Sequence, residues 1–263
     1  MDVEQSVKPL ASSNGPMSFL LVIDFDYTIT EKNTDDWLLQ TLLSAKKVKE
    51  LTEKWYSGDC TWQDLMKSGF QALKEEKVSP DQIFKVLEEI PLVKGFKEFL
   101  KLVGSHKECK VVIASDSNTV FIDKIFKKHD LEKYVDEIFT NPAHFDEEDC
   151  LRLFAHHSHS CTTCQPNICK QEILRSYLEE EGKRGNKYER IFVIGDGSND
   201  FCPCKILDDR GCIFPRKGYR LMKKIEKLKD TNSKDDIKAS VIPWENGEDL
   251  LVSFQRETGL DLK

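Results

Sequence analysis

The sequence lacks the features of a membrane protein and of a secreted protein held together by disulfides. Its longest purely apolar run is Phe19–Ile23, whereas a membrane-spanning helix needs about 20 apolar residues. The residues before this run include no apolar segment of the kind that a signal peptide contains, so we expect a cytoplasmic protein. The nine cysteines are odd in number and unevenly spaced, which favours free thiols or metal ligands over disulfides.

An excess of positive charge is also missing. Lys and Arg number 39 against 46 Asp and Glu, which gives a formal net charge of −7. Generic nucleic-acid binders and anionic-membrane binders need basic surface, so we expect neither kind of partner. The phosphate-loop motif GxxxxGK[ST], the metalloprotease motif HExxH and the hydrolase motif GxSxG are absent as well. A chain of 263 residues fits one large α/β domain, or a core that carries a smaller insert.

Short apolar strands alternate with amphipathic helices over most of the chain. The strands are predicted at Ser18–Asp24, Lys110–Ser115, Glu137–Thr140, Arg190–Gly195 and Cys212–Phe214, with Ala239–Trp244 as a further edge strand. The helices between them are predicted at Gly95–Val103, Asn118–Lys128, Cys169–Glu180 and Gly218–Leu228. This alternation predicts an α/β fold with a parallel sheet and right-handed crossovers.

The segment between the first two strands follows a different pattern. From Asp35 to Ile90 the residues are highly charged and spaced as in helices, and we predict no strand there. Residues 79–82 form a capping box with Pro80 at the first helical position. We therefore predict a helical cap at 35–91, inserted into a core formed by 18–34 and 92–263, with 1–17 as a tail.

Polar residues follow several predicted strands, at the edge where ligands bind in parallel sheets. Asp24 and Asp26 alternate along an extended chain and so point the same way, where their mutual repulsion calls for a hard cation. The other polar groups at this edge are Ser115, Asp116, Asp196, Asn199, Asp200 and, at the start of a helix, Lys170. Acids, a hydroxyl, a lysine and free backbone N–H groups together predict a site for Mg²⁺ and phosphate.

In this order, DFDYT (24–28), Ser115, Lys170 and GDGSND (195–200) resemble the four motifs of the haloacid-dehalogenase-like phosphatases. The resemblance is closer to the group of phosphoethanolamine/phosphocholine and pyridoxal-phosphate phosphatases. It rests on DFDYTITEKNTDDW (24–37), SDSNTVFID (115–123), FTNPAHF (139–145), HSHSCTTCQPNICK (157–170), GDGSNDFCP (195–203) and PRKGY (215–219). It implies a three-layer Rossmann-like parallel sheet in the order five-four-one-two-three, with the cap between strands one and two.

The resemblance also implies catalytic roles. Asp24 would be the nucleophile that forms an aspartyl-phosphate, and Asp26 would be the general acid and then the general base. Mg²⁺ would be held by Asp24, the backbone carbonyl of Asp26 and Asp196. The supporting positions would be Thr28, Asn199 and Asp200.

Substrate binding follows from the same resemblance. Ser115 and Lys170 would bind the phosphate oxygens, and Asp35 and Asp116 would face the head group. The expected activity is Mg²⁺-dependent hydrolysis of a small phosphorylated metabolite, either pyridoxal 5′-phosphate or phosphoethanolamine/phosphocholine. A phosphotransferase or mutase using the same chemistry is an alternative, distinguished by whether water or a second alcohol accepts the phosphoryl group.

A dense group of cysteines and histidines lies between residues 141 and 168, in a segment predicted to be rich in loops. Cys161 and Cys164, with Cys169 and a nearby histidine (His156, His157 or His159), would make a tetrahedral zinc site and a zinc-dependent interaction module. The second CxxC motif that usually completes such a site is absent. Free thiols that shape this loop are the other interpretation, and Cys202 and Cys204 are predicted to be packing residues.

Overall fold

A six-stranded sheet forms the centre of the protein. The computed structural model describes residues 19–231 and 237–262; the predicted tail, 1–17, and Ser18 lie outside the described residues. The strands are β1 (Phe19–Ile23), β2 (Cys109–Asn118), β3 (Glu137–Asn141), β4 (Ala143–Phe145), β5 (Leu151–Leu153), β6 (Arg190–Gly195), β7 (Cys212–Pro215) and β8 (Ser240–Val241). The helices are α1 (Thr34–Leu42), α2 (Ala45–Tyr56), α3 (Trp62–Glu75), α4 (Pro80–Glu88), α5 (Phe96–Ser105), α6 (Thr119–His129), α7 (Lys170–Lys183), α8 (Phe201–Cys204), α9 (Arg220–Thr231) and α10 (Gly247–Thr258).

Across the sheet the strand order is β3-β2-β1-β6-β7-β8, and every neighbouring pair is parallel. The predicted α/β class with a parallel sheet is confirmed. Strand β1 is buried along its whole length, as the continuous apolar run of a strand covered on both faces requires. Phe19, Leu21 and Ile23 enter one apolar cluster, whereas Leu20 and Val22 enter the other.

The two clusters bring helices to opposite faces of the sheet. The first contains residues of α5, α6 and α10 together with α1, α3 and α4. The second contains residues of α7, α8 and α9. Removal of this apolar surface from water, at roughly 25 cal/mol per Å², holds the three layers together. Among the described helices, none is both long and apolar enough to cross a lipid bilayer.

The strand register brings the functional residues to one edge. Ile23 of β1 lies opposite Ile113 of β2 and Ile194 of β6. The residues that follow these three isoleucines therefore lie close together at one edge of the sheet, although β2 continues to Asn118. Asp24 comes first after β1, and its backbone N–H donates to the carbonyl of Ile194 at 2.9 Å.

Five helices lie between β1 and β2, and the first four, α1 to α4, occupy the segment predicted as a cap. The predicted capping box is confirmed: Ser79 Oγ accepts from the N–H of Gln82 at 3.3 Å, and Gln82 Oε1 accepts from the N–H of Ser79 at 2.9 Å. An antiparallel bridge between Thr30 and Leu92 closes the base of the insert. Because the first apolar cluster continues from the sheet into these helices, the division into core and cap stays a prediction.

Three elements, β4, β5 and α10, differ from the sequence-based expectation. Strands β4 and β5 pair in antiparallel fashion inside the segment predicted to be loop-rich, because strands of three residues are too short to show a pattern. Helix α10 was not predicted at all. Its N-cap, Asn246, accepts from the N–H groups of Glu248 and Asp249, and Leu250 and Phe254 form its buried side.

Helix α10 approaches α5 so closely that only glycine fits at Gly247. An added Cβ would lie 2.2 Å from the carbonyl carbon of Gly95 and 2.3 Å from the nitrogen of Phe96. We expect Gly247→Ala to lower the free energy of unfolding by about 1–3 kcal/mol, measured by urea denaturation, because backbone atoms must move. The control is Gly182→Ala in α7, where nothing lies within 4 Å of the added atom; equal effects of the two substitutions would contradict this assignment.

Candidate active site

The centre of the site is a buried lysine between two buried aspartates. Lys170, the first residue of α7, is 2% exposed; its Nζ lies 2.7 Å from Asp24 Oδ1 and 2.6 Å from Asp200 Oδ1. Burial disfavours the charged ammonium, but the carboxylates of Asp200 and Asp24 outweigh that effect and raise the pKa of Lys170. The lysine therefore stays protonated and compensates negative charge that the apolar surroundings do not solvate.

The turn after β6 is shaped by Asp200. Its Oδ2 accepts from the backbone N–H groups of Asp196 at 3.0 Å and of Gly197 at 2.8 Å. A side chain at residue 195 would collide with the same carboxylate, since a Cβ on Gly195 would lie 2.3 Å from Asp200 Oδ2. The glycine-rich sequence is thus required for the carboxylate of Asp200 to hold this turn closed.

Three carboxylates of this site, from Asp24, Asp196 and Asp200, have oxygen atoms within 4.8 Å of one another. Burial, followed by the charge of Asp200, raises the pKa of Asp24 well above its ordinary value and that of Asp196 to about 8. A pKa raised in this way measures how costly the charged carboxylates are without further compensation. Hard oxygen ligands that repel one another are the donor set that Mg²⁺ prefers, so these residues fit that ion.

Asp26 occupies a separate position beside this group. Its Oδ1 accepts from the backbone N–H of Thr34 at 2.8 Å, and its Oδ2 accepts from Thr34 Oγ1 at 3.3 Å. Burial raises the pKa of Asp26 to about 7, although the hydrogen bonds from Thr34 oppose the shift. At neutral pH this carboxyl group is therefore able both to donate and to accept a proton.

The end of β2 contributes hydroxyl and amide groups. Ser115 is fully buried, and its Oγ accepts from the N–H of Ser117 at 3.2 Å. The Oδ2 of Asp116 accepts from Asn199 Nδ2 at 3.1 Å, which joins β2 to the turn after β6. Thr28 Oγ1 is buried in the loop after β1 and has no hydrogen-bond partner among the described residues.

Asp35, in the first turn of α1, is 3% exposed. Its Oδ1 is buried without a hydrogen-bond partner in the part of the chain that the structure describes. Burial, reinforced by the nearby charges of Asp26 and Asp116, raises the pKa of Asp35 well above its ordinary value. A buried acid without a partner is costly unless a ligand supplies one. The side chains of Trp37 and Trp62 are partly buried and pack against the first apolar cluster.

Sequence reasoning missed three residues that position these groups. Thr34 holds Asp26, and its hydroxyl also lies 3.0 Å from Ser117 Oγ. Arg216 donates to the carbonyl of Tyr27 at 2.6 Å and pairs with Glu31 at 2.8 Å, which holds the loop after β1.

The third missed residue is Asn141, whose Nδ2 donates to the carbonyls of Asp116 and Ser117. Arg216 directly follows β7, so the expectation that functional residues lie just after strands could have identified it. For Thr34 and Asn141 no local pattern names the partner, because each partner lies on a different element.

The cysteine prediction needs a correction. The Sγ atoms of Cys161, Cys164 and Cys169 lie with that of Cys202, all within 4.8 Å of one another. Cys202 therefore faces thiols and is not simply a packing residue, whereas Cys204 belongs to the second apolar cluster as expected. Cys202 lies 33 positions after Cys169 in the sequence, so no local pattern identified it as the fourth member of the cluster.

The three histidines have other partners. Nδ1 of His156 lies 3.1 Å from the carbonyl of Thr140, and Nε2 of His159 lies 2.8 Å from the carbonyl of Gln165. Nε2 of His157 accepts from the backbone N–H of Cys169 at 3.3 Å. None of these nitrogens belongs to the thiol group within the described ranges.

Comparison with known proteins places the chain in a family. A sequence model of the family described as Putative Phosphatase matches residues 19–257. The pyridoxal phosphate phosphatase PHOSPHO2 of Bos taurus is 35% identical over 240 residues, which cover 91% of this chain and 98% of the relative. The phosphoethanolamine/phosphocholine phosphatase of Homo sapiens is 32% identical over 246 residues, which cover 93% and 91%.

Solved structures agree on the fold. A substrate-bound phosphoserine phosphatase aligns with a TM-score of 0.61 at 18% identity, over 90% of this chain and 98% of that one. A HAD family hydrolase of Salmonella enterica serovar Typhi aligns with a TM-score of 0.62 at 16% identity, over 90% and 70%. The chain thus has the fold of the haloacid-dehalogenase-like hydrolases, and its family and relatives make it a phosphatase. Within that class, the chain belongs to the Putative Phosphatase family.

The buried carboxylates predict an unusual dependence of stability on pH. In chelator, so that no cation is bound, we expect the free energy of unfolding to fall as the pH rises from about 4 to about 8. Aspartates in the unfolded chain titrate near 3.8, whereas Asp26 and Asp196 titrate near 7 and 8 in the folded protein. The folded state therefore binds more protons in this window, and the stability present below it is lost as the pH rises.

The measurement is chemical denaturation across this pH range for wild type and Asp26→Asn. Removal of one titrating group should make the slope shallower by at most about 1.4 kcal/mol per pH unit. Asp123→Asn on α6, where the carboxylate is exposed and paired with Lys127, serves as the control and should leave the slope unchanged. An identical slope in wild type and Asp26→Asn would contradict the raised pKa.

Proposed function

We propose that the chain is a Mg²⁺-dependent phosphomonoesterase that hydrolyses a small phosphorylated metabolite through an aspartyl-phosphate on Asp24. The observation that carries the proposal is the contact of Lys170 with both Asp24 and Asp200, beside the close group of three carboxylates. This arrangement supplies a nucleophile, a fixed positive charge and oxygen ligands for a cation in one place. The two named relatives act, by their names, on phosphorylated metabolites.

The first step is attack by a carboxylate oxygen of Asp24 on the phosphorus atom of the substrate. A bond forms between Asp24 and phosphorus, and the bond between phosphorus and the ester oxygen breaks. Asp26 protonates the departing oxygen, which its pKa of about 7 allows at neutral pH. Lys170, Ser115 and backbone N–H groups at the strand ends bind the non-bridging oxygens, on which negative charge is spread in the transition state.

The second step returns the enzyme to its starting state. Asp26, now ionised, takes a proton from a water molecule that attacks the phosphorus atom, and the bond to Asp24 breaks to release inorganic phosphate. The residues that would hold Mg²⁺ are Asp24, Asp196 and the backbone carbonyl of Asp26, with Thr28, Asn199 and Asp200 in support. When bound, the ion neutralises charge on the carboxylates and on the phosphoryl oxygens.

The substrate class follows from the acids around the opening of the site. Asp35 is buried near Asp26 and Asp116, whose negative charges add to the effect of burial, and one of its oxygen atoms has no hydrogen-bond partner among the described residues. Asp116 is less buried, and Lys170 and Asn199 both stabilise its carboxylate. A substrate with a positive charge a few atoms from its phosphate would supply the missing partner. The ammonium of phosphoethanolamine, the quaternary nitrogen of phosphocholine and the ring nitrogen of pyridoxal 5′-phosphate all meet this description.

The cytoplasmic location stays a prediction.

The nucleophile is tested by Asp24→Asn. This substitution keeps the shape of the side chain and removes its charge, so we expect kcat to fall by about 10⁴-fold or more. The assay measures phosphate release with and without Mg²⁺ from phosphoethanolamine, phosphocholine, pyridoxal 5′-phosphate and a generic aryl phosphate. Asp123→Asn controls for an aspartate substitution elsewhere, and an unchanged circular dichroism spectrum excludes misfolding.

Substantial turnover by Asp24→Asn would overturn the mechanism. Transfer of phosphate to an added alcohol in preference to water would assign the protein to the phosphotransferases instead. If only the aryl phosphate is hydrolysed, the chemistry stands and the choice of substrate falls.

The head-group role is tested by Asp35→Asn. We expect kcat/KM for the cationic substrates to fall by about 10-fold or more, the effect of losing one buried charge contact, with a smaller change for the uncharged aryl phosphate. Asp36→Asn is the matched control, because it changes the same charge at the adjacent, exposed position. Equal losses on all substrates would show that Asp35 maintains the site without selecting the head group.

A further inference from the structure

Four thiols meet at one point beside the catalytic residues, outside the machinery described above. The Sγ atoms of Cys161 and Cys202 are 3.7 Å apart, and those of Cys169 and Cys202 are 3.8 Å apart. With Cys164 included, all four sulfur atoms lie within 4.8 Å of one another. Cys169 and Cys202 are buried, and Cys161 and Cys164 are partly exposed.

The separations match a tetrahedral metal centre. Four sulfur atoms placed about 2.3 Å from a central Zn²⁺ ion lie about 3.8 Å from one another. The two measured distances, 3.7 and 3.8 Å, are close to this value. Disulfides would bring the sulfur atoms together in pairs at about 2.05 Å, whereas these two distances are 3.7 and 3.8 Å and all four cysteines are free.

The surroundings of the sulfur atoms also suit a metal. The hydroxyl of Thr163 lies 3.2 Å from Cys161 Sγ, and Gln171 Oε1 accepts from Cys202 Sγ at 3.0 Å. A hydroxyl donates to a thiolate directly, and exchange of the oxygen and nitrogen positions of the Gln171 amide would let its NH₂ group donate to a thiolate at Cys202. Contacts of this kind orient metal ligands and tune their charge.

We propose that Cys161, Cys164, Cys169 and Cys202 bind one structural Zn²⁺ ion through four thiolates. Binding releases the thiol protons to solvent and leaves a centre with a net charge of −2 and no open coordination position. No redox step is involved. The spacing begins with CxxC, and the fourth ligand is supplied by α8.

The position of the ion gives it a consequence for the active site. Cys169 directly precedes Lys170, and Cys202 follows Asp200 by two residues. The ion therefore ties the start of α7 to the turn after β6, the two segments whose side chains meet in the contact between Lys170 and Asp200 at 2.6 Å. It also anchors residues 154–169, a long connection between β5 and α7 that contains no helix or strand.

The test is the metal content of the purified full-length protein after dialysis, measured by mass spectrometry of the elements. We expect about one zinc per chain in wild type, and a fall of about tenfold or more in the double variant Cys161→Ser/Cys164→Ser. Cys60→Ser, a partly exposed cysteine of the insert, is the matched control and should keep its zinc. Asp196→Asn should also keep it, which separates this site from the carboxylates.

A second measurement covers the case in which the double variant fails to fold. A mercurial thiol reagent added to wild type should release zinc, detected with a chromogenic chelator, as the four thiolates are consumed. Replacement by Co²⁺ should produce sulfur-to-cobalt charge-transfer absorption in wild type and in Cys60→Ser.

Several results would overturn the proposal. They are folded wild type without zinc, iron in its place, zinc retained by the folded double variant, or zinc lost in Asp196→Asn. A disulfide within the cluster, found by mass spectrometry of the native protein, would do the same. None of these readouts depends on phosphatase activity, so they test the zinc site even if the proposed function is wrong.

Discussion

The structure of this site depends on one buried ammonium group. Lys170 lies between Asp24 and Asp200 with almost no access to solvent, in surroundings where an uncompensated carboxylate would take up a proton instead of staying charged. A nucleophilic carboxylate must be ionised, and a phosphate ester brings further negative charge. The lysine offsets part of this cost: it lowers the pKa of Asp24 against the larger effects of burial and of Asp200, and the acids in turn raise the pKa of the lysine.

The fold places this ion pair by aligning three strand ends. The register of β1 with β2 and β6 puts Asp24 one residue before the level of Ser115 and Asp196, and the start of α7 carries Lys170 to the same edge. The contacts of Lys170 with Asp24 and Asp200 each join the start of α7 to the segment that follows a strand. Asp200 holds the turn after β6 through two backbone N–H groups while it pairs with the lysine, so catalytic geometry and local fold share the same hydrogen bonds.

The acids of this edge are divided by their surroundings into different chemical roles. Asp26, which accepts hydrogen bonds from Thr34 at the beginning of α1, has a pKa that burial raises to about 7, and it is suited to move a proton. Asp35 has no hydrogen-bonding partner for one oxygen within the described residues and is suited to bind a cation from outside. Helix α1 therefore contributes to the site in two ways. Thr34 donates hydrogen bonds to Asp26, and Asp35 lies in the first turn of the helix.

The sequence by itself determined the α/β class, the helices that follow β1 and the polar residues at the strand ends, because apolar periodicity and the positions after strands are local properties. Only the tertiary structure decided which distant groups meet: Thr34 with Asp26, Arg216 with the loop after β1, and Cys202 with the three cysteines of the loop before α7. These contacts join residues far apart in the chain, and no local pattern records a partner that packing alone brings near.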